Sequence, residues 1–217
     1  MFRIRASACG KIMTNSRKKG ELSKTCKTYL EDWLKEKLYN RKKEITSKYM
    51  DKGNLMEDNA IDFISGQFDK FYLKNEKHFE NDFFTGTPDI IQNDYLIDVK
   101  CSWSFSSFPL FEKEINKDYY YQAQVYMELT GRENYKLIYC LMDTPEHLIE
   151  SEAKSHCFRT GYEFDDVIDK FKKEMTYSDV QDKLRMKVYE IKKDPEVIEQ
   201  IKERVLECRE YINQLNY

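Results

Sequence analysis

The chain has 217 residues, 41% of them hydrophobic and 35% charged, with a net charge of -3. That is enough for one sizeable core, or one domain with a helical appendage, under a heavily charged surface. No apolar run approaches the roughly 18 residues that a membrane-spanning helix needs, so no membrane partner is expected.

The charge is unevenly placed. Residues 1–50 carry 14 Lys+Arg against 5 Asp+Glu, whereas residues 51–217 carry 22 against 34. A basic segment beside an acidic remainder suits a protein that attracts phosphate with one part and holds metal with another. A merely solvated charged surface would give the same pattern. The opening MFRIRASACG has no apolar signal-peptide core. Six cysteines (Cys9, Cys26, Cys101, Cys140, Cys157, Cys208) form no C-x-x-C pair and read as reduced thiols in a cytoplasmic protein. His78, His147 and His156 lack zinc-site spacing.

In chain order, residues 1–15 are mixed, with Ser7 available as a helix N-cap. A helix is predicted from Ser23 to about Tyr39, because Tyr29, Leu30, Trp33, Leu34 and Leu38 recur at helical spacing. A Lys/Arg-rich loop follows. A second helix is expected from about Asp51 to Phe68, with Met56, Ala60, Ile61, Ile64 and Phe68 on its apolar side. Strand-like segments fill roughly 71–101, broken by Gly86, Pro88 and Asn93-Asp94. A third helix spans about Asp118 to Leu129 and stops at Gly131. Tyr135–Met142 reads as an apolar strand, and the rest from Pro145 is predicted to be mostly helical. This order argues an α/β core, a mixed sheet flanked by helices.

The stretch Gly86-Thr87-Pro88-Asp89-Ile90-Ile91-Gln92-Asn93-Asp94-Tyr95-Leu96-Ile97-Asp98-Val99-Lys100 carries the chemistry. Asn and Asp tolerate positive φ, so Asn93-Asp94 can close a two-residue hairpin. That loop sets Asp89 opposite Asp98, with Cβ atoms about 4.5–5.5 Å apart on one face. Carboxylates that close repel unless a cation or a proton lies between them. Lys100, two residues past Asp98, points to the same side. A hard cation such as Mg²⁺ prefers such oxygens. It can activate water and neutralise a phosphate, while a lysine orients the water or stabilises the charged transition state. An ordinary charged surface hairpin is the alternative for this short motif.

Two polar residues lie on apolar helix faces. Glu57 precedes Ala60, Ile61 and Ile64 at helical spacing, where a carboxylate needs a partner or a metal. A Lys partner at the edge of the face would serve equally. Gln122 precedes Val125, Tyr126 and Leu129 in the same way, as a satisfied core amide also would.

Taken together, Gly53-x-x-x-Glu57, Gly86-Thr87-Pro88-Asp89, Asp98-x-Lys100 and Tyr119-x-x-Gln122-x-Gln124-x-Tyr126-Met127 resemble the phage lambda-type exonucleases. These are the YqaJ-like viral recombinases of the PD-(D/E)XK nuclease superfamily. The match covers roughly residues 1–142, and Arg3-Ile4-Arg5-Ala6-Ser7 is similar to the segment that opens those domains. The resemblance implies a restriction-endonuclease-like core over about 1–145 within a single domain 1–217, with a helical C-terminal extension over about 146–217. It implies Asp89, Asp98 and the Val99 carbonyl as ligands of Mg²⁺, or of Mn²⁺ in its place, and Glu57 as a further acidic ligand or as one that serves a second metal. Lys100 would be the catalytic lysine, Gln122 an orienting residue, and Thr87, Ser7 and Arg5 neighbours of a 5′-phosphate pocket. The second acid is Asp98 where many members have Glu, one methylene shorter. The implied activity is exonucleolytic digestion of duplex DNA from a 5′ end in recombination. A single-strand annealing protein as partner and a ring-shaped trimer as assembly go with it, in a bacterial or phage-infected cell. A structure-specific or restriction-type endonuclease with the same site, and a binding module with a decayed site, are the competing readings. The full set of acidic residues with Lys100 and Gln122 argues against the last. No cysteine cluster flanks the core as an iron–sulfur member would require.

Overall fold

The computed structural model describes residues 1–18, 20–44 and 46–215. A short strand β1 (Ile4–Arg5) leads through a single 3-10 turn into α1 (Cys9–Ile12). Ser7 was expected to cap a helix and does not. It lies inside the turn Ala6–Ala8, which runs directly into α1, so Ala8 takes the cap position. Helix α2 (Lys24–Leu38) starts where Ser23 Oγ accepts the Cys26 N–H at 3.0 Å, and it buries Cys26 and Leu30. Helix α3 (Lys48–Gln67) is capped by Ser47 and so begins three residues earlier than its apolar spacing suggests. Ala60, Ile61 and Ile64 form its buried stripe.

The segment read as strand-like is regular only from Phe79. It contains β2 (Phe79–Glu80), β3 (Phe84–Gly86), β4 (Ile90–Ile91) and β5 (Tyr95–Cys101). Residues 70–78 run without strand structure and are held by isolated backbone and side-chain hydrogen bonds. Asn75 is the main tie: its N–H donates to the Asp89 carbonyl at 2.7 Å, and its amide donates to the Pro88 carbonyl at 2.9 Å. Helix α4 (Lys117–Thr130) is capped by Asn116 and ends at Gly131, whose φ of 70° closes the helix in the left-handed conformation. Strand β6 (Asn134–Cys140) follows.

The strands form two sheets. In the smaller, ordered β1-β3-β2, β1 is parallel and β2 antiparallel to β3. In the larger, ordered β4-β5-β6 and then a C-terminal strand, β4 is antiparallel and β6 parallel to β5. The parallel step needs a crossover, and α4 supplies it.

The reading of 146–217 as a helical extension is corrected here. Helices α5 (Glu146–Thr160) and α6 (Phe164–Met175) do form a hairpin of their own. They are followed by a seven-residue strand, β7 (Met186–Lys192), antiparallel to β6 along its length. Tyr189 and Ile191 turn inward between exposed Glu190 and Lys192, the alternation of a half-covered strand. Helix α7 (Pro195–Gln214), capped by Asp194, then buries Ile198, Ile201, Val205 and Cys208 in the main core. Fully buried Gln124 joins this return to α4: its amide donates to the Lys192 carbonyl at 2.9 Å and accepts the Asp194 N–H at 2.8 Å. The core thus extends to the end of the described chain, and the α5–α6 hairpin is the appendage.

Among the described residues, no helix is long and apolar enough to cross a membrane.

Candidate active site

The site grows from the β4–β5 hairpin. Ile90 pairs with Ile97 and Ile91 with Leu96, and the Gln92 N–H donates to the Tyr95 carbonyl at 2.9 Å. This is the register of the two-residue Asn93-Asp94 loop, and it brings Asp89 opposite Asp98. The Val99 N–H donates to Asp89 Oδ2 at 2.8 Å. In an extended strand the N–H and C=O of one residue face the same edge, so the Val99 carbonyl is also turned toward Asp89. Asp98 is buried, and its Oδ1 accepts the Gln122 amide at 2.9 Å. Lys100 Nζ lies 2.5 Å from Asp98 Oδ2 and 5.1 Å from the centre of the Tyr119 ring.

The electrostatics follow from this crowding. Burial, and then the charge of Asp98, push the Asp89 carboxyl up to about 8, against the pull of Lys100 and the Val99 N–H. Burial opposes the charge on Lys100, but Asp98, Asp89 and the contact with Asp98 outweigh it and hold the ammonium above its ordinary range. Asp98 Oδ2 has the ammonium beside it but no well-directed hydrogen bond. Two carboxyls on one face, Asp98 buried and Asp89 resisting ionisation, are a donor set that a divalent cation fits. Mg²⁺ commonly takes only one or two carboxylates and keeps its waters.

Glu57 has the lysine partner that its place on the helix face allowed. It lies on α3, which packs on β5, and its charge reaches Asp89, yet its Oε1 is 3.1 Å from Lys74 Nζ. Among the described residues, no three of Asp, Glu, His and Cys stand close enough to hold an ion by themselves. Thr87 sits beside the pair, its carbonyl accepting the Tyr126 hydroxyl at 3.0 Å. Arg5 stands alongside Thr85, two residues upstream of Thr87, and Ser7 is exposed one turn further on.

Several contributors carried no sequence assignment. Tyr119 and Tyr126 belong to the helix motif, but periodicity marks them only as apolar surface. Tyr126 packs so closely on Gly86 that a Cβ there would lie 2.6 Å from its ring, which requires glycine beside Thr87. Asn75 holds the backbone of Pro88 and Asp89 from outside. Fully buried Lys52 on α3 donates to the Trp103 carbonyl at 2.9 Å and anchors the chain just after β5. Burial lowers its ammonium to about 8. No spacing rule marks a lysine of this kind, because its neighbours are distant in sequence.

A scan against protein-family models finds no match, and a search of curated proteins finds none either. Solved structures do match. A phage-related exonuclease from Haemophilus somnus 129PT superposes with a TM-score of 0.82 and 27% identity, over 98% of this chain and 94% of the other. The chain is similar to a phage-related exonuclease over nearly its whole length. An alkaline exonuclease, LHK-Exo, from Laribacter hongkongensis shares the fold at a TM-score of 0.67 and 16% identity, over 97% and 88% of the two chains. Its complex with dAMP matches at 0.66. The phage-type exonuclease fold therefore includes β7 and α7, since the likeness to the Haemophilus protein runs through nearly the whole chain. The core is of the PD-(D/E)XK kind, and the protein is a nuclease.

Proposed function

We propose that the protein is a Mg²⁺-dependent exonuclease that hydrolyses the phosphodiester bonds of linear duplex DNA from the 5′ end. The observation that carries this reading is the Asp89–Asp98 pair with Lys100 on the same face, its ammonium against Asp98 Oδ2. Asp89, Asp98 and the Val99 carbonyl would hold the cation, with Mn²⁺ able to replace it and Glu57 an additional acid once parted from Lys74. The bound ion would supply an activated water and neutralise charge on the scissile phosphate. Lys100, held cationic, orients the attacking water and stabilises negative charge as it develops on phosphate oxygens. Gln122 fixes the Asp98 carboxylate, and the Val99 N–H fixes that of Asp89.

The basic N-terminal segment supports DNA as the substrate. A cleft of about 770 Å³ lies between α2 and the edge of β1 and β3, with Arg3, Arg5, Lys11, Lys42, Lys43 and Trp33 in its wall. Clustered cations there attract the phosphate backbone. The same reading includes recombination of the phage type, a single-strand annealing protein as partner, a ring-shaped trimer as assembly, and the bacterial or phage-infected cytoplasm as location.

The test uses one DNA in two forms. With Mg²⁺, the protein should digest end-labelled linear duplex and leave covalently closed circles intact. Cleavage of closed circles at a comparable rate would replace the exonuclease with a restriction-type endonuclease using the same site.

A further inference from the structure

The segment 70–78 carries a lysine that has no place in the sequence motifs. Lys74 Nζ lies 3.1 Å from Glu57 Oε1 and 2.9 Å from Asp58 Oδ1, so one ammonium straddles two consecutive carboxylates of α3. Their settings differ: the Asp58 side chain is 78% exposed and that of Glu57 only 26%. Glu57 is also joined to the paired carboxyls by a closed circuit of contacts. Beside it on α3, the Met56 carbonyl accepts the thiol of Cys101 at 3.7 Å, and Cys101 follows Lys100 on β5. Lys100 stands against Asp98, and the hairpin register sets Asp98 opposite Asp89. The Asp89 carbonyl accepts the N–H of Asn75, the neighbour of Lys74, at 2.7 Å. Lys74 then closes the circuit on Glu57. Burial and Asp98 raise the Asp89 carboxyl first, and the charge of Glu57 adds to them. An acid at the rim of the paired carboxyls is thus neutralised by an ammonium of the same chain.

We propose that Lys74 is an internal counter-ion that competes with the divalent cation for Glu57, and so sets the cation concentration at which the site fills. This rests on the Mg²⁺-dependent reading above, in which Glu57 is an additional acid. An ammonium and a hard divalent cation seek the same carboxylate oxygens, so each contact that Glu57 makes with one is lost to the other. Asp58 lets the exchange proceed without stranding a charge. When Glu57 turns away, Lys74 keeps its ion pair with Asp58 at the surface. Ion pairs this exposed are weak, so the contact yields to a divalent ion instead of blocking it. Without the cation, the same contact keeps a half-buried carboxylate from standing unpaired near two others. An ordinary ion pair fixing residues 70–78 to α3 would have the same geometry, but it would leave cation affinity unchanged.

The test is Mn²⁺ binding by isothermal titration calorimetry, without DNA, on the full chain and its variants. Lys74→Met should tighten Mn²⁺ binding about fivefold, the factor that matches an exposed ion pair at the strong end of its range. Lys74→Arg, which keeps the competing charge, should leave Kd close to the native value. Asp58→Asn should weaken binding, because Lys74 is then left to Glu57 alone, and adding Lys74→Met should abolish that effect. In a Glu57→Gln background, Lys74→Met should change Kd by less than about twofold, which separates exchange at Glu57 from the through-space effect of one cation fewer. An unchanged Kd in Lys74→Met, with a lowered melting temperature, would make Lys74 a structural tie and overturn the inference. The same tightening with and without Glu57 would overturn it too. Either result in a protein that binds Mn²⁺ would keep the metal centre at Asp89 and Asp98 and remove only the role of Lys74. If neither the native protein nor any variant binds Mn²⁺, the metal-dependent reading fails and the inference falls with it.

Discussion

Lys100→Ala is expected to lower the rate of DNA cleavage by about 10²–10⁴-fold, the range seen when a positioned proton-transfer or charge-stabilising group is removed. Lys100 has its ammonium against Asp98 and over Tyr119 and is not part of the hydrophobic core, so the protein should remain folded. Part of the DNA affinity should survive, because the basic cleft between α2 and β1 is untouched. The check is kcat on linear duplex with circular dichroism alongside. A folded Lys100→Ala protein cutting DNA at the native rate would remove Lys100 from the mechanism.

The second large effect concerns stability in the absence of metal. The Asp89 carboxyl is raised from 3.8 to about 8, by burial first and by Asp98 second. The folded state therefore keeps a proton that the unfolded chain releases. The stability contributed by this group is complete below about pH 4 and is lost as pH rises to about 8. In chelator, the melting temperature of the wild type should fall from pH 5 to pH 8 more steeply than that of Asp89→Asn, which cannot ionise. At pH 8, Mg²⁺ should raise the wild-type melting temperature by roughly 5 °C or more, since it binds only the folded site. Thermal scans of both proteins with and without Mg²⁺ test this. Parallel pH curves, with no response to Mg²⁺, would mean the two carboxyls are not the strained pair described.

What could be read in the sequence was local. The Asn93-Asp94 turn fixes the hairpin register within ten residues, so the Asp89–Asp98 pairing follows without knowledge of the rest of the chain. Gly131 and Ser23 mark helix ends for equally local reasons, a left-handed closing residue and a hydroxyl that accepts a free N–H. Gln122 shows as an amide on an apolar face, and the structure turns it onto Asp98. Gln124, only two positions away, points elsewhere and serves the junction with α7. What escaped the sequence depends on distant partners. Strand β7 is recognisable only beside β6, because its Lys and Glu residues resemble the surrounding charged helices. The position of Glu57 depends on Lys74, which competes for its carboxylate. Ser7 loses its expected place as a helix cap because the turn there passes straight into α1. The family resemblance extended the reading to residue roles, but it stopped near residue 142, and the last strand and helix of the core lie beyond that point.

Incubating 5′-labelled linear duplex DNA with the purified protein in Mg²⁺, in Mg²⁺ with excess chelator, and in Ca²⁺ addresses the paired carboxylates and Lys100 together. Digestion should proceed in Mg²⁺ and stop in chelator, and Ca²⁺ should support binding with little cleavage, because its looser coordination serves the phosphoryl geometry poorly. Full activity in excess chelator would contradict a metal centre at Asp89 and Asp98.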